Sequence, residues 1–190
     1  MQRISDNQTE KTGGLSLYYS TAYASPIGMM TLACHDNGLA GLWFRGQKYY
    51  GGGIPKAMAE KDDIPVFITA KNWLDRYFAG EKPGIDELPL APAGSAFRLC
   101  VWRMLCEIPY GTVTTYAAIA KKAAAHMGRD RLSSQAVGGA VGHNPLSIII
   151  PCHRVVGSNG SLTGYAGGLD IKMKLLELEG VDMRGLFVPK

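Results

Sequence analysis

The feature that most constrains what this chain can fold into is a change of pattern across "EKPGIDELPLAPAG", residues 81–94. Its three prolines and two glycines exclude a continuous helix or a central strand. On its N-terminal side the chain begins with short β-prone runs; on its C-terminal side apolar residues recur at helical spacing. Halves patterned so differently are expected to form two domains. The first spans residues 1–92, with an extended or disordered lead at 1–14 and the linker at 81–94, and the second spans residues 95–190.

"LYYSTAYASPIGMMTLACHDNGLAGLWF" is broken at Ser25-Pro26-Ile27-Gly28 and at Asp36-Asn37-Gly38. An Asn-Gly pair between β-prone runs is a strong hairpin signal, so an antiparallel meander of about three strands is expected. "PVFITAKNWLDRYFAG" then carries Val66, Phe67, Trp73, Leu74 and Phe78 at helical spacing, with Gly80 placed to stop the helix. After the linker, "SAFRLCVWRMLCEIPYG" sets Phe97, Val101, Met104 and Leu105 on one face behind Ser95 as N-cap. "TTYAAIAKKAAAHMG" reads as an Ala-rich helix closed by Gly128, and "SSQAVGGAVGHNP" as a short helix of small residues. These last two resemble a helix-turn-helix, whose second helix other surfaces can approach closely at Gly138, Gly139 and Ala140. Tight packing of an all-α domain accounts for the same residues equally well.

Charge separates the halves again. The chain carries a net +4, but residues 95–135 hold Arg98, Arg103, Lys121, Lys122, Arg129 and Arg131 against only Glu107 and Asp130. Such a bias suits a phosphate-facing surface and also a solvated helix face. No apolar run approaches 18 residues, and "MQRISDNQTEKTGG" is polar rather than signal-like, so an intracellular, cytoplasmic protein without a membrane span is expected. Cys34, Cys100, Cys106 and Cys152 form no C-x-x-C pair, and no Cys or His spacing suits a metal. Reduced thiols, no metal and no cofactor follow.

One of those thiols stands apart. In "SIIIPCHRVVGSNG", Ile148 to Ile150 read as a short buried strand or extended segment that Pro151 ends, leaving Cys152 at the edge of a core beside His153 and Arg154. A free thiol ionises near ~8.5, so a reactive one needs a base or a positive environment beside it. The tripeptide alone also fits a buried cysteine acting as a small hydrophobe.

"IPYGTVTTYAAIA", "SQAVGGAVGHNP", "IIIPCHRVVG" and "GYAGGLDIKMKLLELEG" together resemble the O6-alkylguanine-DNA alkyltransferases, or methylated-DNA-protein-cysteine methyltransferases. The likeness is close over residues 95–182 and only in outline before them. It implies an α+β fold: a small ribonuclease-H-like α/β domain followed by a helical, winged helix-turn-helix-like domain carrying the active-site cysteine. It also implies direct repair of double-stranded DNA, in which the alkyl group of O6-alkylguanine, and by extension O4-alkylthymine, passes irreversibly to Cys152 of a monomer. Reaching an O6-alkyl group requires rotating the base out of the stack, at a cost of a few kcal/mol.

The resemblance assigns residues as well. Glu179, His153, a water and Cys152 match the family's relay, with Glu179 orienting the base. Asn144 matches the asparagine tying the helix-turn-helix to the active-site segment. Tyr116 matches the tyrosine that crowds the target nucleotide, and Tyr165 the pocket wall. The backbone N–H of Ala166 and the carbonyls of Val155 and Cys152 would read the flipped base, while Arg154 is expected to pair within the fold. Gln135 stands where the best-known members carry an arginine that fills the vacated stack; glutamine can fill it and hydrogen-bond but brings no charge. Arg129 or Arg131 would then supply the missing charge. The zinc ligands of animal members have no counterparts. A Cys-His-Glu hydrolase or acyltransferase, and a non-catalytic helix-turn-helix protein that binds DNA damage, are the competing readings.

Overall fold

A computed structural model describes residues 17–55 and 57–189, so the expected lead at 1–14 lies outside the described residues. Strands β1 (Tyr18–Ser25), β2 (Gly28–His35) and β3 (Gly38–Phe44) pair antiparallel through the two turns marked in the sequence. A two-residue strand, β4 (Ala59–Glu60), joins β1 in parallel and gives the order β3-β2-β1-β4. So short a strand has no alternation to announce it. Helix α1 (Pro65–Phe78) begins with proline at N1, where no backbone donor is lost, and buries Val66, Phe67, Ala70, Trp73, Leu74 and Tyr77. Phe78, expected in that stripe, is only half-buried, and Tyr77 takes its place.

β3 is an edge strand, and two later segments cover its exposed backbone. The Leu39 N–H donates to the Pro89 carbonyl at 2.7 Å and the Leu39 carbonyl accepts from Ala91 at 2.9 Å, which pins the linker to the sheet. Further along, the Leu42 N–H donates to Pro145 at 2.8 Å and the Leu42 carbonyl accepts from Ser147 at 2.9 Å. Pairing satisfies groups that would otherwise template aggregation. It also fastens the segment leading to Cys152 onto the first domain.

The second half is helical as its period predicts. Helices α2 (Ala96–Cys106), α3 (Tyr116–His126) and α4 (Ser134–Gly142) begin after Ser95, Thr115 and Ser133, whose hydroxyls accept from the N–H groups of Arg98, Ala118 and Ala136. Each cap satisfies a donor that the first turn leaves open. The Trp102 indole of α2 donates to the Ala140 carbonyl of α4 at 2.9 Å inside the core. Strands β5 (Thr114–Thr115) and β6 (Val155–Val156) form a short parallel pair that joins the start of α3 to the residues just after Cys152. Helix α5 (Leu169–Leu178) closes the fold, which is α+β.

Ile148 to Ile150 are buried but form a turn, not the expected strand or extended segment. Ile148 sits at φ +70°, a conformation that a β-branched residue adopts only at a cost of roughly 1–3 kcal/mol. Asn144 accounts for it by taking over the Ile150 carbonyl at 2.7 Å, so the segment bends around that side chain instead of running along β3. Apolarity foretold the burial; the bend depends on a partner six residues away.

Candidate active site

Asn144 lies just past α4, where the chain must turn before Pro145. Its Oδ1 accepts from the Leu146 N–H at 2.9 Å, while its Nδ2 donates to Ile150 O at 2.7 Å and to Cys152 Sγ at 3.0 Å. One amide therefore shapes the turn and aims at the sulfur. Cys152 opens a 3₁₀ turn running to Arg154 and is 6% exposed. Burial pushes its thiol pKa up, and the Asn144 hydrogen bond and the Lys172 charge work against that rise.

His153 and Glu179 are fully enclosed side chains joined at 2.7 Å, Nε2 to Oε1. Glu179 caps the C-terminal end of α5 and receives five donors. Oε1 accepts from Tyr77, His153 and Arg154 Nη2; Oε2 accepts from Arg154 Nε at 2.8 Å and from the Gly111 N–H at 3.2 Å. Burial by itself would raise this carboxyl, but the hydrogen bonds and charges of His153 and Arg154 prevail and hold it well below the carboxylate range. Glu179 is thus an anion that accepts the Nε2 proton, which leaves Nδ1 as the basic nitrogen of a neutral imidazole. Nδ1 is buried without a partner among the described residues. Burial lowers the His153 pKa, and its pairing with Glu179 opposes that shift. Gly111, at φ +73°, is required here: a Cβ would stand 2.8 Å from the Glu179 carbonyl oxygen.

Arg154 pairs inside the fold as expected, its third contact being Nη1 to the Ile108 carbonyl at 2.6 Å. Tyr116 opens α3 and donates its hydroxyl to the Thr163 carbonyl at 2.9 Å. Burial and the nearby Cys152 push its pKa up to about 12, so it remains a neutral donor. Tyr165 turns its ring edge toward His153, with centroids 6.4 Å apart, and its buried hydroxyl has no partner of ordinary geometry among the described residues. Val155 is buried with its carbonyl already accepting from Lys172 Nζ at 2.6 Å, and the Cys152 carbonyl accepts from the Val155 N–H. The Ala166 carbonyl accepts from the Lys48 N–H at 3.0 Å, a link to the first domain. Gln135 and Arg131 do not join this cluster: Gln135 is exposed in the first turn of α4, and Arg129 and Arg131 are exposed in the loop before it.

Three residues of the site escaped sequence reasoning. Lys172 is fully buried and donates to the carbonyls of Val155 and Thr163, and burial lowers its pKa to about 8 while Cys152 opposes the shift. Tyr77 reaches Glu179 from α1. Gln47 Oε1 accepts from Phe44 N at 2.8 Å and from Ser147 Oγ at 3.1 Å, tying the first domain to the segment before Cys152. A lysine within an amphipathic helix and a tyrosine in an apolar stripe carry no local mark of such partners.

Residues 17–92 match the 6-O-methylguanine DNA methyltransferase ribonuclease-like domain, and residues 96–181 match the DNA binding domain of the same proteins. The chain belongs to the 6-O-methylguanine DNA methyltransferase family. The methylated-DNA-protein-cysteine methyltransferase of Methanosarcina acetivorans is 46% identical over 165 residues, covering 86% of this chain and 99% of the relative. That of Haemophilus influenzae is 39% identical over 166 residues, covering 87% and 88%. Among solved structures, the Mycobacterium tuberculosis O6-methylguanine methyltransferase superposes with a TM-score of 0.72 at 39% identity over 87% of this chain and 93% of its own. The M. tuberculosis OGT in complex with DNA gives 0.73 at 40% identity over 85% and 92%. In this member of the 6-O-methylguanine DNA methyltransferase family, no helix among the described residues is long and apolar enough to cross a membrane.

Proposed function

We propose that this protein repairs double-stranded DNA by taking the alkyl group of O6-alkylguanine irreversibly onto Cys152, acting as a monomer in the cytoplasm. Residues 95–190 carry the reaction and residues 1–92 support it. The observation that carries the reading is a buried thiol held by Asn144, at the end of α4, beside a histidine paired with an anionic glutamate. A thiol at that depth meets a guanine substituent only if the base leaves the duplex. Tyr116 crowds the nucleotide out, and Gln135 enters the vacated stack from the first turn of α4, with Arg131 beside it on the backbone. Tyr165, the Ala166 N–H and the Val155 and Cys152 carbonyls receive the base.

His153 Nδ1 takes the thiol proton through a water, and the imidazolium is held by Glu179. Sulfur then forms a bond to the alkyl carbon as the carbon–O6 bond breaks, its electron pair going to oxygen. The base regains a proton at N1, so the net change is S–H to S–alkyl and O–alkyl to N–H. A thioether sulfur is a poor leaving group, so the protein acts once. After incubation with duplex DNA containing O6-methylguanine, peptide mass spectrometry should find one methyl per chain, on Cys152. Cys152→Ala should bind DNA and accept none. Repeated turnover, or methylation of Cys34, would refute the mechanism, and turnover would favour the hydrolase or acyltransferase reading.

A further inference from the structure

We propose that Tyr77, on helix α1 of the first domain, is a positioning residue of the relay, sharing Glu179 Oε1 with His153 and so setting how firmly the imidazole holds a proton. This rests on the reading that Cys152, His153 and Glu179 carry alkyl transfer.

Tyr77 donates its hydroxyl to Oε1 at 2.7 Å, the same distance at which His153 Nε2 reaches that oxygen. A carboxylate oxygen offers two lone pairs in its plane, and Oε1 receives three donors once Arg154 Nη2 is counted at 2.9 Å. The donors therefore compete, and loss of one strengthens the others. Tyr77 cannot swing away. Its ring is 1% exposed, stacked on Trp73 at 5.6 Å and met edge-on by Phe78 and Tyr110. Burial and the Glu179 charge raise its pKa, so it stays a donor throughout the working range.

The other charged and titratable groups around the pair are constant in this comparison. Glu179 also faces Arg154, from the turn after Cys152, and Tyr110, from the loop after α2. His153 faces Arg154, Lys172 of α5 and Tyr165. Arg154 and Lys172 oppose protonation of the imidazole and Glu179 favours it. Removing the Tyr77 hydroxyl leaves a more basic Oε1, which stabilises the imidazolium. The His153 pKa must then rise, and the neutral base is lost at higher pH.

The test compares wild type and Tyr77→Phe in single-turnover methyl transfer from duplex O6-methylguanine across about pH 5 to 9, the range in which a histidine titrates. The acid-side midpoint should move up by about half a unit, on the scale of one hydrogen bond to a carboxylate. Below the midpoint the variant should be about threefold slower, the factor given by that shift; on the plateau it should be at least as fast as wild type, because a more basic imidazole takes up the thiol proton no less readily. The His153 imidazole, followed by NMR, should shift by the same amount. Replacing Tyr77 by 3,5-difluorotyrosine, a stronger donor that keeps the ring and hydroxyl, should move both midpoints down. Superimposable profiles, or a uniform loss at every pH, would overturn the role of Tyr77 while leaving the relay intact. Absence of methyl transfer to Cys152 in the wild type would instead overturn the relay reading and this inference together.

Discussion

Glu179→Gln removes a charge at the point where five donors converge. Whichever way the new amide is turned, its NH₂ faces donors: Tyr77, His153 and Arg154 Nη2 at one position, or Arg154 Nε and the Gly111 N–H at the other. The Arg154 side chain is 8% exposed and loses its counter-charge without gaining water. Breaking a buried pair by removing one partner costs about 3–5 kcal/mol. At about 2–4 °C per kcal/mol for a chain of this size, the melting temperature at neutral pH should fall by about 6–20 °C.

The sign of the pH dependence follows from the depressed Glu179 carboxyl. Its stabilisation is complete above the unfolded carboxylate value near ~4.3 and is lost as pH falls below that value toward the folded one. Melts followed by circular dichroism should therefore show the wild-type advantage shrinking from about pH 5 to pH 3, because the variant has no such proton to take up. A neutral-pH difference below about 3 °C, or a gap that does not change on acidification, would refute the argument that the Glu179 charge compensates Arg154. Transfer by the variant should also slow by about tenfold or more, since an imidazole without its anion is a weaker base. Its residual rate should rise further into alkaline pH.

Asn144→Ala withdraws the donor to Cys152 Sγ, which should raise the thiol pKa, move the alkaline side of the rate profile upward and slow transfer near pH 7; an unchanged profile would show that Asn144 only shapes the turn. Gln135→Ala should slow repair in duplex DNA far more than reaction with free O6-methylguanine, because a residue filling the stack matters only when there is a stack; equal losses would point to Arg131 instead. Gln135→Arg should tighten duplex binding and steepen its salt dependence by roughly one phosphate-equivalent. Gly164→Ala, at φ +76° with a new Cβ 2.5 Å from the Tyr116 hydroxyl, should displace that tyrosine and impair duplex repair, as single-turnover kinetics would reveal.

What the sequence by itself determined is local. Asp36-Asn37-Gly38 closes a hairpin because that turn favours positive φ, adopted here by Asp36. Ser95 and Ser133 start helices because their hydroxyls reach donors three residues ahead. The Cys152-His153 pair stands out in the sequence at the end of an apolar run, whereas Glu179 is marked only by the family resemblance. What only the tertiary structure decided is which buried polar groups answer one another. Tyr77 and Glu179 are 102 residues apart, and nothing in "DRYFAG" distinguishes a tyrosine that packs from one that donates to a relay carboxylate. Lys172 shows the same gap: its position on α5 is readable from helical spacing, but its burial depends on the Val155 and Thr163 carbonyls lying across from it. Apolarity predicts the burial of the isoleucine run but not its turn, which depends on the Asn144 amide taking the Ile150 carbonyl at 2.7 Å in place of a neighbouring strand. Caps, turns and periodicity act over a few residues, whereas a buried donor must find its acceptor wherever the fold brings one, and the sequence does not display that distance.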